Sequence, residues 1–302
     1  MTFTTQIKEE ITKEENNNIE DLTSLCTYLK FNATLEEDKM TVMVVNASVA
    51  RWIFKLLKTN YNVLIKLTTR TMKRFKARNL YILEVKEKLD LIYKDIDNIF
   101  KEINTSSDEE KKAFLKGMFL ACGSINDPKK NQYHLEFLVK EEEDAKLIDN
   151  LLNSLKIKSK VLKRDREYMV YVKSSENISD FIKYLGAFNA LFYFEDIRIY
   201  KDHKNMVNRL NNCEQANVER TLKSSKTILD NIKYLEDNDL LMLLDDRSKE
   251  IIEYKKKYPD TSLGELAEII TMETNKSITK SGINHHFRKI NALDKKAKEN
   301  HE

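Results

Sequence analysis

The chain repeats itself once. Leu25 to Leu115, Val63 to Ile157 and Leu83 to Val170 are steps of 90, 94 and 87 residues between like positions in two stretches of like order. A long self-similarity present in two copies defines a duplicated unit, not a solenoid. The first copy, about residues 19–103, opens with an amphipathic stretch from Ile19 to Phe31 whose Leu22, Leu25, Cys26 and Leu29 share one helical face. A strand pair or hairpin follows, with Thr41 to Val45 β-branched around Met43. A helix then runs from Ala47 to Leu57, capped by Asn46 or Ser48 and striped by Val49, Trp52, Ile53, Leu56 and Leu57. Alternation at Val63, Ile65 and Leu67 and again from Leu80 to Val85 predicts two strands, and Leu89 to Ile103 closes the copy as a helix. The second copy, about residues 108–199, keeps this order. Helix Asp108–Cys122 starts after Ser106 or Ser107; strand Gln132–Val139, helix Glu141–Leu155, strands Ile157–Leu162 and Tyr168–Val172, and helix Ile178–Leu185 follow. Each copy has the order αββαββ, and the expected arrangement is a pseudo-twofold pair whose sheets form one saddle.

The 302 residues suffice for two domains. With 5 Gly and 2 Pro the chain lacks the turn chemistry of an all-β protein. The predicted fold class is therefore α+β: a duplicated αββαββ domain over residues 1–200, followed by an all-α domain. After about Lys204 the texture is helical, through Val207, Leu210, Cys213, Val218, Leu222, Ile228, Ile232 and Leu235, and residues 201–236 are expected to form a helical linker. Acids crowd Asp230 to Asp246, as on a solvated boundary.

Residues 237–302 carry the sharpest local signal. Ser262 and Glu265 form a capping box, and Leu263, Leu266, Ala267 and Ile270 face one way. After a connection of about eight residues, Thr271 to Ile278, either Ser277 or Thr279 caps a second helix whose Ile283, Phe287 and Ile290 fall at i, i+4 and i+7. Its outer face presents Lys280, Ser281, Asn284, His285 and Arg288, the donors and acceptors that phosphates and major-groove base edges require. Ser, Asn and His are poorer helix formers than the Glu and Lys of an ordinary wet face, which favours a DNA-reading helix-turn-helix over a plain helical hairpin. Lys295, Lys296 and Lys298 make its exit basic.

Arg51 to Lys88 is also basic, with 11 Lys and Arg against Glu84 and Glu87. Its densest part, Arg70, Lys73, Arg74, Lys76 and Arg78, is expected in a turn between two strands, where it attracts phosphate by counterion release or, alternatively, neutralises the acidic Glu141 to Asp144 helix. Catalytic patterns are lacking: the sequence has no Gly-rich phosphate loop, no His-Glu-x-x-His and no His/Cys cluster at ligand spacing, so neither metal nor cofactor is expected. Adjacent His285 and His286 point to different sides of their helix. Cys26 and Cys122 lie on apolar faces as small hydrophobes. The first twenty residues are charged and no apolar run reaches the roughly 18 residues of a membrane span, so a cytoplasmic chain with no membrane partner is expected.

Phe114 to Ser124, with Asn126-Asp127-Pro128 and Tyr133 to Glu136, resembles the central signature of the WhiA family; Asn208 to Asn217 and Ser277 to Ile290 are similar to two further segments of it. The resemblance implies a degenerate LAGLIDADG homing-endonuclease fold joined to a C-terminal helix-turn-helix. The function it implies is non-catalytic DNA binding: transcription regulation linked to cell division and chromosome segregation, nucleoid-associated, with double-stranded DNA and other regulatory or transcription proteins as partners. It also implies two central helices packed on the pseudo-twofold through small residues, here Gly117 and Gly123 in one copy and Thr27 and Ala33 in the other. Active members carry an acidic residue near the end of each such helix to hold divalent ions. The matching positions hold Asn32 and Cys122, so loss of cleavage is expected. Two alternatives remain: a working LAGLIDADG-type endonuclease or RNA maturase, and a protein-interaction scaffold that touches no nucleic acid.

Overall fold

A computed structural model describes residues 2–14, 17–72 and 78–299 of the chain. It divides into two compact units, Met1–Asp202 and His203–Glu302. The first contains α1 (Phe3–Ile11), α2 (Asn18–Asn32), β1 (Ala33–Leu35), β2 (Met40–Val44), α3 (Ala47–Tyr61), β3 (Ile65–Met72), β4 (Arg78–Val85) and α4 (Leu89–Glu102). It continues through α5 (Asp108–Cys122), β5 (Gly123–Ile125), β6 (Leu135–Val139), α6 (Glu142–Ser154), β7 (Lys160–Arg164), β8 (Glu167–Val172) and α7 (Ser175–Tyr184), and it holds the start of α8 (Phe188–Asp237).

The duplication extends to single rungs. One sheet has the order β1-β2-β4-β3 and the other β5-β6-β8-β7, all antiparallel. The rung Ala33–Val42–Leu83–Leu67 matches Gly123–Phe137–Val170–Val161. Within these rungs Val42, Leu83, Phe137 and Val170 are buried, so both sheets turn the same face to the core. Caps left open by the sequence are resolved locally. Asn46 accepts from the amides of Ser48 and Val49, and Ser107 and Glu110 form the reciprocal box at the start of α5.

α2 and α5 pack along each other through Ser24, Thr27 and Gly117. A Cβ at Gly117 would lie 2.9 Å from Thr27 Cβ and still closer to the Ser24 carbonyl oxygen, so only glycine admits this approach. Ser24 Oγ donates to the Ala113 carbonyl at 2.9 Å across the same seam. The other expected pair behaves differently. Ala33 and Gly123 are the first residues of β1 and β5, and the crowding at Gly123 comes from Phe119 of its own helix, not from α2.

The strand pair expected after the first helix is the β1–β2 hairpin, whose first strand is only three residues long, and β5 repeats that short edge strand. Two other features depart from the sequence expectation. α1 buries Phe3, Ile7 and Ile11, while its Thr4 Oγ1 donates to the Ile125 carbonyl and accepts from the Ile125 amide. α8 starts at Phe188 instead of near residue 204, because Gly186 at φ 76° turns the chain out of α7 and the Glu10 carboxylate accepts from the amides of Asn189 and Ala190.

The second unit comprises the rest of α8, a 3₁₀ turn at Leu240–Leu243, α9 (Asp246–Lys257), α10 (Leu263–Thr274) and α11 (Lys280–Glu299). Its core joins Ile228, Ile232 and Leu235 of α8 to Ile251, Ile252, Leu266, Ile270, Ile283, Phe287 and Ile290. The end of the expected linker is thus a wall of the helical unit. The acid run is partly structural: Asp245 caps α9 at the Ser248 amide, and Glu236 pairs with Lys256 at 2.7 Å.

Candidate nucleic-acid interface

The helix-turn-helix is set by its caps. Ser262 and Glu265 close the start of α10 reciprocally, and Asn275, at φ 54°, ends it in the left-handed region. Thr271 Oγ1 accepts from the Ile278 amide at 3.2 Å and ties the turn to α10. Thr279 Oγ1 accepts from the Gly282 amide, so it is Thr279 that caps α11. The connection is residues 275–279, shorter than the eight expected, because α10 continues through Thr274.

Ile283, Phe287 and Ile290 of α11 are buried, which fixes the opposite face outward. Lys280, Ser281, His285 and Arg288 are exposed and Asn284 is half-buried. None of these five makes a hydrogen bond or ion pair among the described residues. Their neighbours are engaged: Lys289 reaches Asp245 at 3.5 Å, and Lys298 holds the buried Asp294 at 2.7 Å. The two adjacent histidines divide as the helical geometry requires. His285 faces out, whereas His286 Nδ1 lies 2.8 Å from Ser248 Oγ and burial holds its pKa below the usual histidine range. α11 therefore offers a cation pair, an amide, a hydroxyl and an imidazole whose side chains make no hydrogen bond or ion pair among the described residues. That set is able to meet phosphates and base edges.

In the first unit, Arg70 is exposed on β3. Lys73, Arg74 and Lys76 lie outside the described residues, and Arg78 enters only through its backbone, paired with Met72 at the start of β4. The acidic start of α6 has its own partners: Glu142 accepts from Lys146 at 2.7 Å and from Tyr168 at 3.2 Å. The duplication adds residues that sequence reasoning missed. The hairpin β7–β8 is the topological counterpart of β3–β4, and its Lys158, Lys160, Lys163, Arg164 and Arg166 are all exposed. Five cations within residues 158–166 are the sequence signal for this second basic hairpin. At the base of the β3–β4 hairpin Lys66 pairs with Glu84 at 3.1 Å, and beside β6 His134 lies 3.1 Å from Glu136.

The ends of α2 and α5 carry an amide and a thiol, Asn32 and Cys122. Asn32 Nδ2 donates to the Tyr28 hydroxyl, and Cys122 Sγ donates to the Met118 carbonyl at 3.4 Å. Burial pushes the Cys122 thiol up to about 12, so at neutral pH it is a neutral donor. Neither side chain is a carboxylate, the group that supplies anionic oxygen to a hard dication. No cluster of three or more His, Cys, Asp or Glu suited to a metal occurs among the described residues, and no helix among them is long and apolar enough to cross a membrane.

Three family models match in order: the WhiA N-terminal LAGLIDADG-like domain over residues 19–99, the WhiA LAGLIDADG-like domain over 111–204, and the WhiA C-terminal HTH domain over 207–294. The chain is similar to a protein of Oceanobacillus iheyensis named "Probable cell division protein WhiA", with 36% identity covering 99% of this chain and 98% of that one. A Bacillus cytotoxicus protein of the same name is 38% identical over 98% of this chain and 97% of its own. Among solved structures, full-length DUF199/WhiA from Thermatoga maritima shares the fold with a TM-score of 0.59 and 22% identity, covering 98% of this chain and 99% of that one. The N-terminal LAGLIDADG domain of DUF199/WhiA matches with a TM-score of 0.51 and 20% identity, over 61% of this chain and 90% of its own.

Proposed function

This chain belongs to the WhiA family, and we propose that it is a DNA-binding regulator that grips double-stranded DNA without cutting it. The observation that carries the proposal is the outward face of α11, where the side chains of Lys280, Ser281, Asn284, His285 and Arg288 make no hydrogen bond or ion pair among the described residues while Ile283, Phe287 and Ile290 hold the helix to its unit. α11 enters the major groove, with Arg288 and Asn284 reading base edges and Lys280 and Ser281 on the backbone. The basic hairpins add phosphate attraction: Arg70, Lys73, Arg74, Lys76 and Arg78 from one copy, and Lys160, Lys163, Arg164 and Arg166 from the other. Non-cleavage follows from Asn32 and Cys122, which leave the ends of α2 and α5 without carboxylates.

The name carried by the relatives supports a role in cell division. Transcriptional control, chromosome segregation, a cytoplasmic location at the nucleoid and contacts with other regulatory or transcription proteins are the finer parts of the proposal. The test begins with DNA fragments selected by the full chain from a random pool. Arg288→Ala is expected to weaken binding to a selected site by about 1–3 kcal/mol and to relax preference at one base position. Unchanged affinity in a titration would remove α11 from the reading role.

A further inference from the structure

A cavity of about 180 Å³ in the C-terminal unit lies between α8, the loop before α10 and the start of α11. Arg220, Thr221 and Ser224 line it from α8, Ser262 from the cap of α10 and Lys280 from α11. Arg220 and Lys280 make no hydrogen bond or ion pair among the described residues. Behind this lining Lys255 is fully buried, with Nζ donating to Ser225 Oγ and to the Thr261 carbonyl, both at 2.8 Å. Ser225 and Thr261 themselves border the cavity, so a buried ammonium stands one residue behind its surface. Two acids, Asp260 and Glu265, stand near Lys255, and Glu265 accepts from the Ser262 amide at 2.7 Å. The described lining itself holds two cations, Arg220 and Lys280, and the Thr221 and Ser224 hydroxyls, with no carboxylate. A methyl group added at Gly264 would meet only Ser262 Oγ within 4 Å, at 3.8 Å, so the backbone there is open to approach.

We propose that this cavity seats one backbone phosphate of duplex DNA, clamped between Arg220 and Lys280. The inference rests on the DNA-binding reading of α11 and extends the footprint to α8. The space equals about six waters, enough for a phosphate and its bridging oxygens. Arg220 supplies the two-pronged donor that phosphate oxygens fit, the hydroxyls supply neutral donors, and Lys255 braces the wall behind them through Ser225 and Thr261 without itself touching the ligand. Each phosphate neutralised in this way releases condensed counterions, so the contact has a salt signature independent of base sequence.

The test measures binding of the full chain to two duplexes of unrelated sequence over a range of salt concentrations, using wild type, Arg220→Ala, Ser224→Asp, Ser224→Ala and Arg288→Ala, with melting curves to establish that each variant folds. Arg220→Ala should weaken both duplexes alike and lower the slope of log affinity against log salt by about 1. Ser224→Asp, which places a negative charge in the cavity, should weaken both further, and Ser224→Ala should fall between it and wild type. If Arg288→Ala weakens binding while Arg220→Ala leaves affinity and slope unchanged, the cavity assignment fails and the role of α11 stands. If wild type binds neither duplex, both fail. Should inorganic phosphate raise the melting temperature of wild type but not of Arg220→Ala, with duplex affinity equal in the two, the occupant is a free phosphate and the DNA assignment is overturned.

Discussion

Lys8 carries a cost that its surroundings only partly offset. Its ammonium donates to the Leu120 carbonyl at 3.0 Å, and burial lowers its pKa to about 8 against an ordinary 10.5. Between those values the folded chain has released a proton that the unfolded chain retains, so stability rises with pH across that window. Below about 8 both states are protonated and the penalty is constant. Lys8→Met removes the titration. Wild type should therefore gain stability relative to Lys8→Met from pH 8 to pH 10, as read by urea melts at several pH values; parallel curves would show that the amine is solvated. Lys255 and Lys116 share the pattern, both held below the usual lysine range first by burial. Such residues are invisible to periodicity. Lys255 meets Ser225 from thirty positions away, and only the fold brings them together.

At the scale of elements, the α2–α5 seam is the most constrained contact. Gly117→Ala would drive a methyl into the Ser24 carbonyl and Thr27, and both partners lie on a buried helix with little room to retreat. Overpacking of this kind costs about 1–3 kcal/mol, and a thermal melt should register it as a lower Tm. Ala at Gly264, where space is open, serves as the comparison and should not produce that loss. Long helices with one apolar face, such as α3 and α4, were legible because Val49, Trp52, Ile53 and Leu56, or Leu89, Ile92 and Ile96, repeat at helical spacing. The bounds of β1 and β5 were not, although the order αββαββ calls for both strands, since three residues are too few to show a period of two. α1 has a signal in Phe3, Ile7 and Ile11, but three apolar residues among charged neighbours make a short stripe. The beginning of α8 is obscured for another reason: Ala190 and Phe194 face the core while Phe188 and Phe192 are exposed, so apolar residues occur on both sides.

For the whole molecule, two cores share no residue. One gathers Leu25, Phe114, Phe119, Phe137 and Phe181; the other gathers Ile232, Ile252, Leu266, Phe287 and Ile290. α8 feeds both, through Ala190 and Phe194 at one end and Ile228, Ile232 and Leu235 at the other, and residues 203–215 between them are exposed throughout. Cooperative unfolding follows shared burial, so calorimetry should resolve two transitions. Ile252→Ala, at about 2–5 kcal/mol, should lower one of them alone. A single transition displaced as a unit would mean that the cores are coupled. The outward face of α11 was readable from composition because its residue types are unusual for a helix. The α8 wall of the cavity was not, because Arg220 and Ser224 acquire their setting from residues forty to sixty positions further on. At the tips of the paired central helices, finally, the Asn32 amide and the uncharged Cys122 thiol place no ionised side chain of their own at the negative pole of either helix. At α5 that pole is met from within the chain: the Lys8 ammonium donates to the Leu120 carbonyl at 3.0 Å, so the first helix supplies the positive charge that the dipole of the central one favours.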